Sequence, residues 1–303
     1  MRDPTSDRLI DLAGIEGSFE FRDDLPRPQW HKIGAWIDDH IKKADLDAAW
    51  NEAACQWLER LAAQLKADYW VGVSDRFALL TSQNKKHATE LLNTAESMLT
   101  RIRRTIGRPE KGQSLGCRVI LVFEDLATYY TYVCHFYPEG EFSASVGMCI
   151  YEGYIHIVLI KTDPGILVTL AHELTHAATV HLPLPTWVQE GIAQIVEQSR
   201  QCVPIDYERA LEHKRLWKTR GLREFWSGEV FHLPKRAEFA YELAEILTRN
   251  LIGDYKSRFV DFLQSAHSDD AGEGAAQRCF GQSLAKIAEG FLGSDVVNPE
   301  SGA

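Results

Sequence analysis

The chain has 303 residues, 45% apolar and 25% charged, enough to bury a sizeable core and, on length alone, about two domains. A formal net charge of −10 argues against a duplex-binding face, which needs a basic stripe. The short run Arg101, Arg103, Arg104, Arg108 reads as a solvated helix face. No apolar run reaches the ~18 residues of a membrane span, so neither nucleic acid nor a membrane is an expected partner. The start, Met1 to Asp11, is charged and has no apolar signal core. Six scattered cysteines form no CxxC pair. That pattern reads as reduced, mostly buried thiols and a cytoplasmic location.

Residues 1–27 read as irregular and polar, running into Pro26 and Pro28. From Trp30 to Leu65 the pattern is helical. Ile33, Trp36, Ile37 and Ile41 form one apolar stripe, and Trp50, Ala54, Trp57, Leu58 and Leu61 form another. Its tryptophans read as core or docking residues, not as a ligand cage. Tyr69–Val73 and Phe77–Leu80 read as a hairpin. Lys86–Ile106 is a long amphipathic helix, stopped by Gly107 and Pro109. Arg118–Phe123 is a buried strand, Leu126–Phe136 a helix, and Tyr154–Ile160 a further strand, expected at the sheet edge. Asp163 and Pro164 then open a helix to about His181. Thr186 to Gln189 has capping-box spacing for the next helix. Helices over 206–220, 235–251, 254–266 and 282–292 follow. The expected class is α+β: a lobe with a small mixed sheet and the helix that Asp163 and Pro164 open, then a helical C-terminal lobe. The expected divisions are 1–66, 67–200 and 201–303.

Residues 172–176 read HELTH. Helical positions four apart differ by about 40° net, so His172 and His176 point the same way, one turn apart. Two imidazoles so placed can share one Zn²⁺. Glu173 is rotated about 100° from His172, poorly set as a ligand and well set to take a proton from water. Two histidines and a glutamate set among Leu170, Ala171, Leu174, Ala177 and Ala178 would be costly to bury without a shared partner. A catalytic zinc needs a third protein ligand. His181 lies about 140° round the helix from His176 and reads as structural or solvated. Glu190, early in the next helix, is the better candidate. Cys202 is a weakly placed fourth ligand for a purely structural site.

HELTH followed by PTWVQEGIA resembles the gluzincin metallopeptidases, in which a W-x-x-EG-x-A segment supplies the third zinc ligand. Trp187, Glu190, Gly191 and Ala193 carry that resemblance, and the 13-residue interval between His176 and Glu190 is similar to the compact peptidase MA-like branch. The resemblance implies a zinc-dependent peptidase cleaving a peptide or protein substrate. Tyr241, in FAYELAEILTRNLIGDYKSRFVDFL, looks like that branch's Tyr-containing helix, and RCFGQSLAKIAEGF like its closing segment. The likeness spans about 67–292 and leaves the first 66 residues unexplained. Gly147-Met148-Cys149 does not match a GxMEN exopeptidase signature, and Gln194 stands where a carboxylate could support a ligand, with Glu197 a weaker alternative for that support. Expected roles are general base for Glu173 and oxyanion donor for Tyr241, with His232 behind it, while His156 reads as a sheet-face residue. The competing reading is an interaction module on the same fold with vestigial or partner-restricted activity.

Overall fold

The computed structural model describes residues 8–107, 115–138, 145–197 and 205–297. Arg108, Pro109 and Cys202 lie outside them. The fold is α+β, with a five-stranded mixed sheet, a separate two-stranded sheet and a helical C-terminal region. Contacts divide the chain into two units: 1–100 with 109–177, and 101–108 with 178–303. Residues 8–66 fall in the same unit as the sheet.

The first unit opens with a hairpin where irregular chain was expected. β1 (Phe19–Arg22) pairs antiparallel with β2 (Leu25–Pro28). Asp23 and Asp24 both have positive φ, 49° and 63°, the left-handed turn that suits the strand twist. Pro26 and Pro28 are tolerated because a two-stranded ribbon is all edge. α1 (Trp30–His40) and α2 (Leu46–Gln64) follow. β3 (Trp70–Val73) and β4 (Phe77–Thr81) form the expected hairpin. α3 (Lys85–Ile106) then crosses to β5 (Arg118–Phe123), parallel to β4. α4 (Leu126–Val133) is shorter than expected, and Asp125 caps it by accepting from the Thr128 N–H. β6 (Gly147–Ile150) and β7 (His156–Ile160) are antiparallel, and β7 runs parallel to β5. The sheet order is β3-β4-β5-β7-β6.

One face of this sheet meets α1, α2 and α4. Ile33, Ile37, Trp57 and Leu58 share a core with Leu80, Leu121, Phe123, Val158 and Tyr132. Alternate strand residues, such as Leu79, Ile120 and Ile157, are equally buried on the other face. That explains the continuous apolar runs of the central parallel strands. α5 (Ile166–Thr179) follows β7. Asp163 does not sit directly at its start. Its carboxylate instead accepts from the Gly165 N–H at 2.7 Å and the Thr169 hydroxyl at 2.6 Å, so the Pro164-Gly165 turn comes first.

His156 is buried on β7 (2% exposed). Its Nδ1 lies 2.6 Å from the Tyr154 carbonyl and its Nε2 2.8 Å from the Tyr132 hydroxyl. The carbonyl needs a donor, so Nδ1 carries the proton and Nε2 accepts from Tyr132. Burial lowers its pKa from 6.5 to about 4, against the Tyr154 bond, which raises it. Between those values the unfolded chain binds the proton and the folded chain does not. Stability is therefore undiminished above pH 6.5 and falls as pH drops toward 4. The loss expected from this one group is about 3 kcal/mol. Urea midpoints measured from pH 7 to 4 should fall more steeply for the native chain than for His156→Gln. Parallel slopes would refute a buried neutral imidazole.

In the second unit, α6 (Thr186–Glu197), α7 (Tyr207–Arg220), α8 (Arg223–Ser227) and α9 (Ala237–Ser265) are followed by α10 (Glu273–Phe280), α11 (Leu284–Leu292) and α12 (Ser294–Val297). α9 joins the two helices expected at 235–251 and 254–266, with a non-helical break at Tyr255. α7 and α9 are tied by Glu242, which accepts from Arg209 Nε at 2.8 Å and lies 2.7 Å from Nε2 of the buried His213. No helix among the described residues is long and apolar enough to cross a membrane.

Candidate metal centre

HELTH lies in the second half of α5, and the 3.6-residue period stacks its two imidazoles as expected. The His172 and His176 rings meet edge to face, with centroids 4.7 Å apart and an interplanar angle of 68°. Their Nε2 atoms stand 3.0 Å apart. Two nitrogens bound to one tetrahedral zinc at ~2.05 Å would stand about 3.3 Å apart, so a small ring movement suffices. His176 is 8% exposed and His172 half-buried.

α6 starts from a pinned turn. Ser268 N–H donates to the Pro183 carbonyl at 3.0 Å. The buried Trp187 donates its indole N–H to the Ala271 carbonyl at 2.9 Å and packs edge-on to Trp226. Glu190 follows Trp187 by three residues, about one turn. It is the fifth residue of the helix, past the first turn, so the helix dipole assists it less than expected. The capping box does not form: the Gln189 amide donates to the Leu184 carbonyl at 2.7 Å. Gly191 allows a close crossing, but with α9. A Cβ there would lie 2.2 Å from Thr248 Oγ1 and 2.4 Å from the Ala244 carbonyl oxygen. Gly191→Ala should destabilise the chain by about 1–3 kcal/mol, the range for overpacking a tight contact, and a denaturant titration checks this. A loss under ~0.5 kcal/mol, the range of neutral surface changes, would contradict the crossing.

One ligand-capable atom from each of His172, His176 and Glu190 lies within 4.8 Å of the others, and no fourth His, Cys, Asp or Glu among the described residues joins the group. Two imidazoles and one carboxylate with a fourth position open are the donor set of catalytic zinc, so these residues fit that ion. Glu197 is outside the group and accepts from Gln194 Nε2 at 3.1 Å. His181 is exposed.

Glu173 is half-buried and its charge is felt by two residues that sequence reading missed. Tyr129 on α4 has its pKa pushed up to about 12 by burial; its bond to Ser145 opposes that rise and Glu173 adds to it. Burial also pushes the Cys149 thiol up, with Glu173 adding to the effect. No motif marks either residue, because both approach Glu173 only through the fold. Thr169 of α5 lies against Gly147 of β6, which brings this end of the sheet to the helix.

The edge-strand expectation is corrected. β7 pairs on both sides, with β5 and β6, and β6 ends the sheet among the described residues. The interior position of β7 follows from the hairpin that β6 makes with it, and all four β6 residues are buried. Tyr241, the oxyanion candidate, is a half-buried residue of α9 with its ring edge-on to Phe231 at 5.3 Å. His232 is exposed. His232 does not belong to the metal-ligand group.

The chain matches no protein-family model, no curated protein and no solved structure.

Proposed function

We propose that this chain is a zinc-dependent hydrolase acting on peptide bonds, with His172, His176 and Glu190 as metal ligands and Glu173 as general base. The observation that carries the proposal is the grouping of those two imidazoles and one carboxylate within 4.8 Å, one residue from a half-buried glutamate. Zinc held there supplies Lewis acidity, acidifying water and polarising a carbonyl. Glu173 takes the proton of the attacking water on a carboxylate oxygen and returns it to the leaving amine. Tyr241 is proposed as the donor to the developing oxyanion, a role that needs a preorganised hydroxyl in reach. The free cysteines among the described residues support a reducing, cytoplasmic setting.

Metal analysis of the purified protein, paired with digestion of a broad peptide library with and without a chelator, tests the proposal. Stoichiometric zinc and chelator-sensitive cleavage are expected. Zinc without cleavage would favour the interaction-module reading, and a metal-free protein that acquires none on dialysis would remove the centre.

A further inference from the structure

Two cysteines about 60 residues apart in sequence meet in the first unit. Cys55 lies midway along α2, and Cys117 directly precedes β5. Neither belongs to the metal-ligand group.

The backbone around them is held in place. The Gly116 N–H donates to Asp47 Oδ1 of α2 at 2.9 Å. A Cβ at Gly116 would lie 2.9 Å from the Trp50 Cβ, so the chain entering β5 runs directly against α2. The Tyr154 hydroxyl donates to the Cys117 carbonyl, and the Tyr154 ring packs beside Trp50 at 6.0 Å. Both cysteines pack against the same core. Their thiols are hydrogen-bonded to each other. Neither is in a disulfide, and both are half-buried, within reach of a small solute.

The contact makes the two thiols unequal. The bond from Cys117 lowers the pKa of Cys55, while burial and the charges of Glu59 and Glu52 oppose that fall. The bond to Cys55 and burial both push the Cys117 thiol up. Cys55 therefore ionises first, and Cys117 holds the proton it donates. The thiolate is the form that attacks an oxidant. A second thiol beside the oxidised sulfur turns it into a disulfide before it oxidises further.

We propose that Cys55 and Cys117 form a peroxide-sensitive modification site that closes reversibly into one disulfide between α2 and the start of β5. The Cys55 thiolate attacks one oxygen of hydrogen peroxide. The O–O bond breaks, and the hydroxide that leaves takes a proton from solvent to become water. Cys55 is then a sulfenic acid. The Cys117 sulfur attacks the Cys55 sulfur, the S–O bond breaks, and the departing hydroxide takes the Cys117 proton as a second water. Two electrons have passed from the thiols to the peroxide. A dithiol reductant restores both thiols by exchange. In a reducing compartment such a bond is transient and signals oxidation.

The test treats the folded full chain with a few equivalents of hydrogen peroxide. Remaining thiols are capped with N-ethylmaleimide, and the digest is mapped without reductant. A linked peptide pair carrying Cys55 and Cys117 is expected, with two fewer capped thiols per chain and full recovery in dithiothreitol. In Cys117→Ser, dimedone should trap a sulfenic acid at Cys55. Cys55→Ser should slow peroxide consumption by more than about tenfold, because serine supplies no thiolate. Cys134→Ser removes the exposed thiol and should leave the linked pair unchanged. The peptide map of the native chain stands even if a variant does not fold. Both cysteines still capped after treatment would overturn the proposal. So would a native Cys55 that proceeds to sulfinic acid, or a link that forms equally fast in urea, which would mark random pairing. None of these readouts depends on zinc or on peptidase activity.

Discussion

Glu173→Gln is expected to leave bound zinc in place and reduce chelator-sensitive cleavage by about 10²–10⁴-fold, the range for removing a general acid–base. Glutamine preserves the shape and length of the side chain but cannot accept a proton at neutral pH. On α5 the residue is rotated about 100° from His172, so the substitution leaves the ligand face of the helix untouched. The fall should appear in kcat more than in KM, because the proton moves in the transition state. Zinc content and melting temperature should match the native chain. An unchanged rate on a verified substrate would remove Glu173 from the mechanism. Loss of zinc in this variant would instead make Glu173 a ligand and overturn the division of labour within HELTH. Tyr129 gives a second readout. Glu173 adds to the rise of its pKa, so the Glu173→Gln chain should titrate Tyr129 at lower pH.

Much of this centre was legible because it depends on short-range periodicity. His172 and His176 share a face in any helix, and Glu190 follows after a loop bounded by prolines. Gly191 is legible as a motif position, while the helix it approaches is not. Only the tertiary packing reveals that its partner is α9, through Ala244 and Thr248. The contribution of Trp187 was legible as a motif position and not as a mechanism. Its anchoring bond goes to Ala271, 84 residues away.

The sheet shows where local pattern stops. β4, β5 and β7 were readable because strands buried on both faces are continuously apolar. β6 is a four-residue strand, GMCI, too short to show a period, and its pairing with β7 cannot be inferred from spacing alone. Missing it put β7 at the edge. The N-terminal hairpin was hidden for a different reason: its prolines read as breakers, although a ribbon edge accepts them. The apolar stripe on α2 correctly turned Trp57 inward.

Removing one ligand should have the largest effect on the metal itself. Glu190→Gln is expected to lower zinc affinity by more than about 100-fold, the upper end for losing a group that merely supports a ligand. The amide is nearly isosteric, so packing against α9 survives and a loss of zinc reports on coordination. Metal bound at 1,000 times its Kd stabilises a folded chain by about 4 kcal/mol. Adding a chelator to the native protein should therefore lower its melting temperature by on the order of 10 °C. The Glu190→Gln chain should already melt near that lower temperature and respond little to the chelator. His176→Ala should behave in the same way, because its imidazole is half of the pair whose Nε2 atoms stand 3.0 Å apart. Full zinc occupancy in Glu190→Gln, with chelator sensitivity intact, would move the third ligand to another residue.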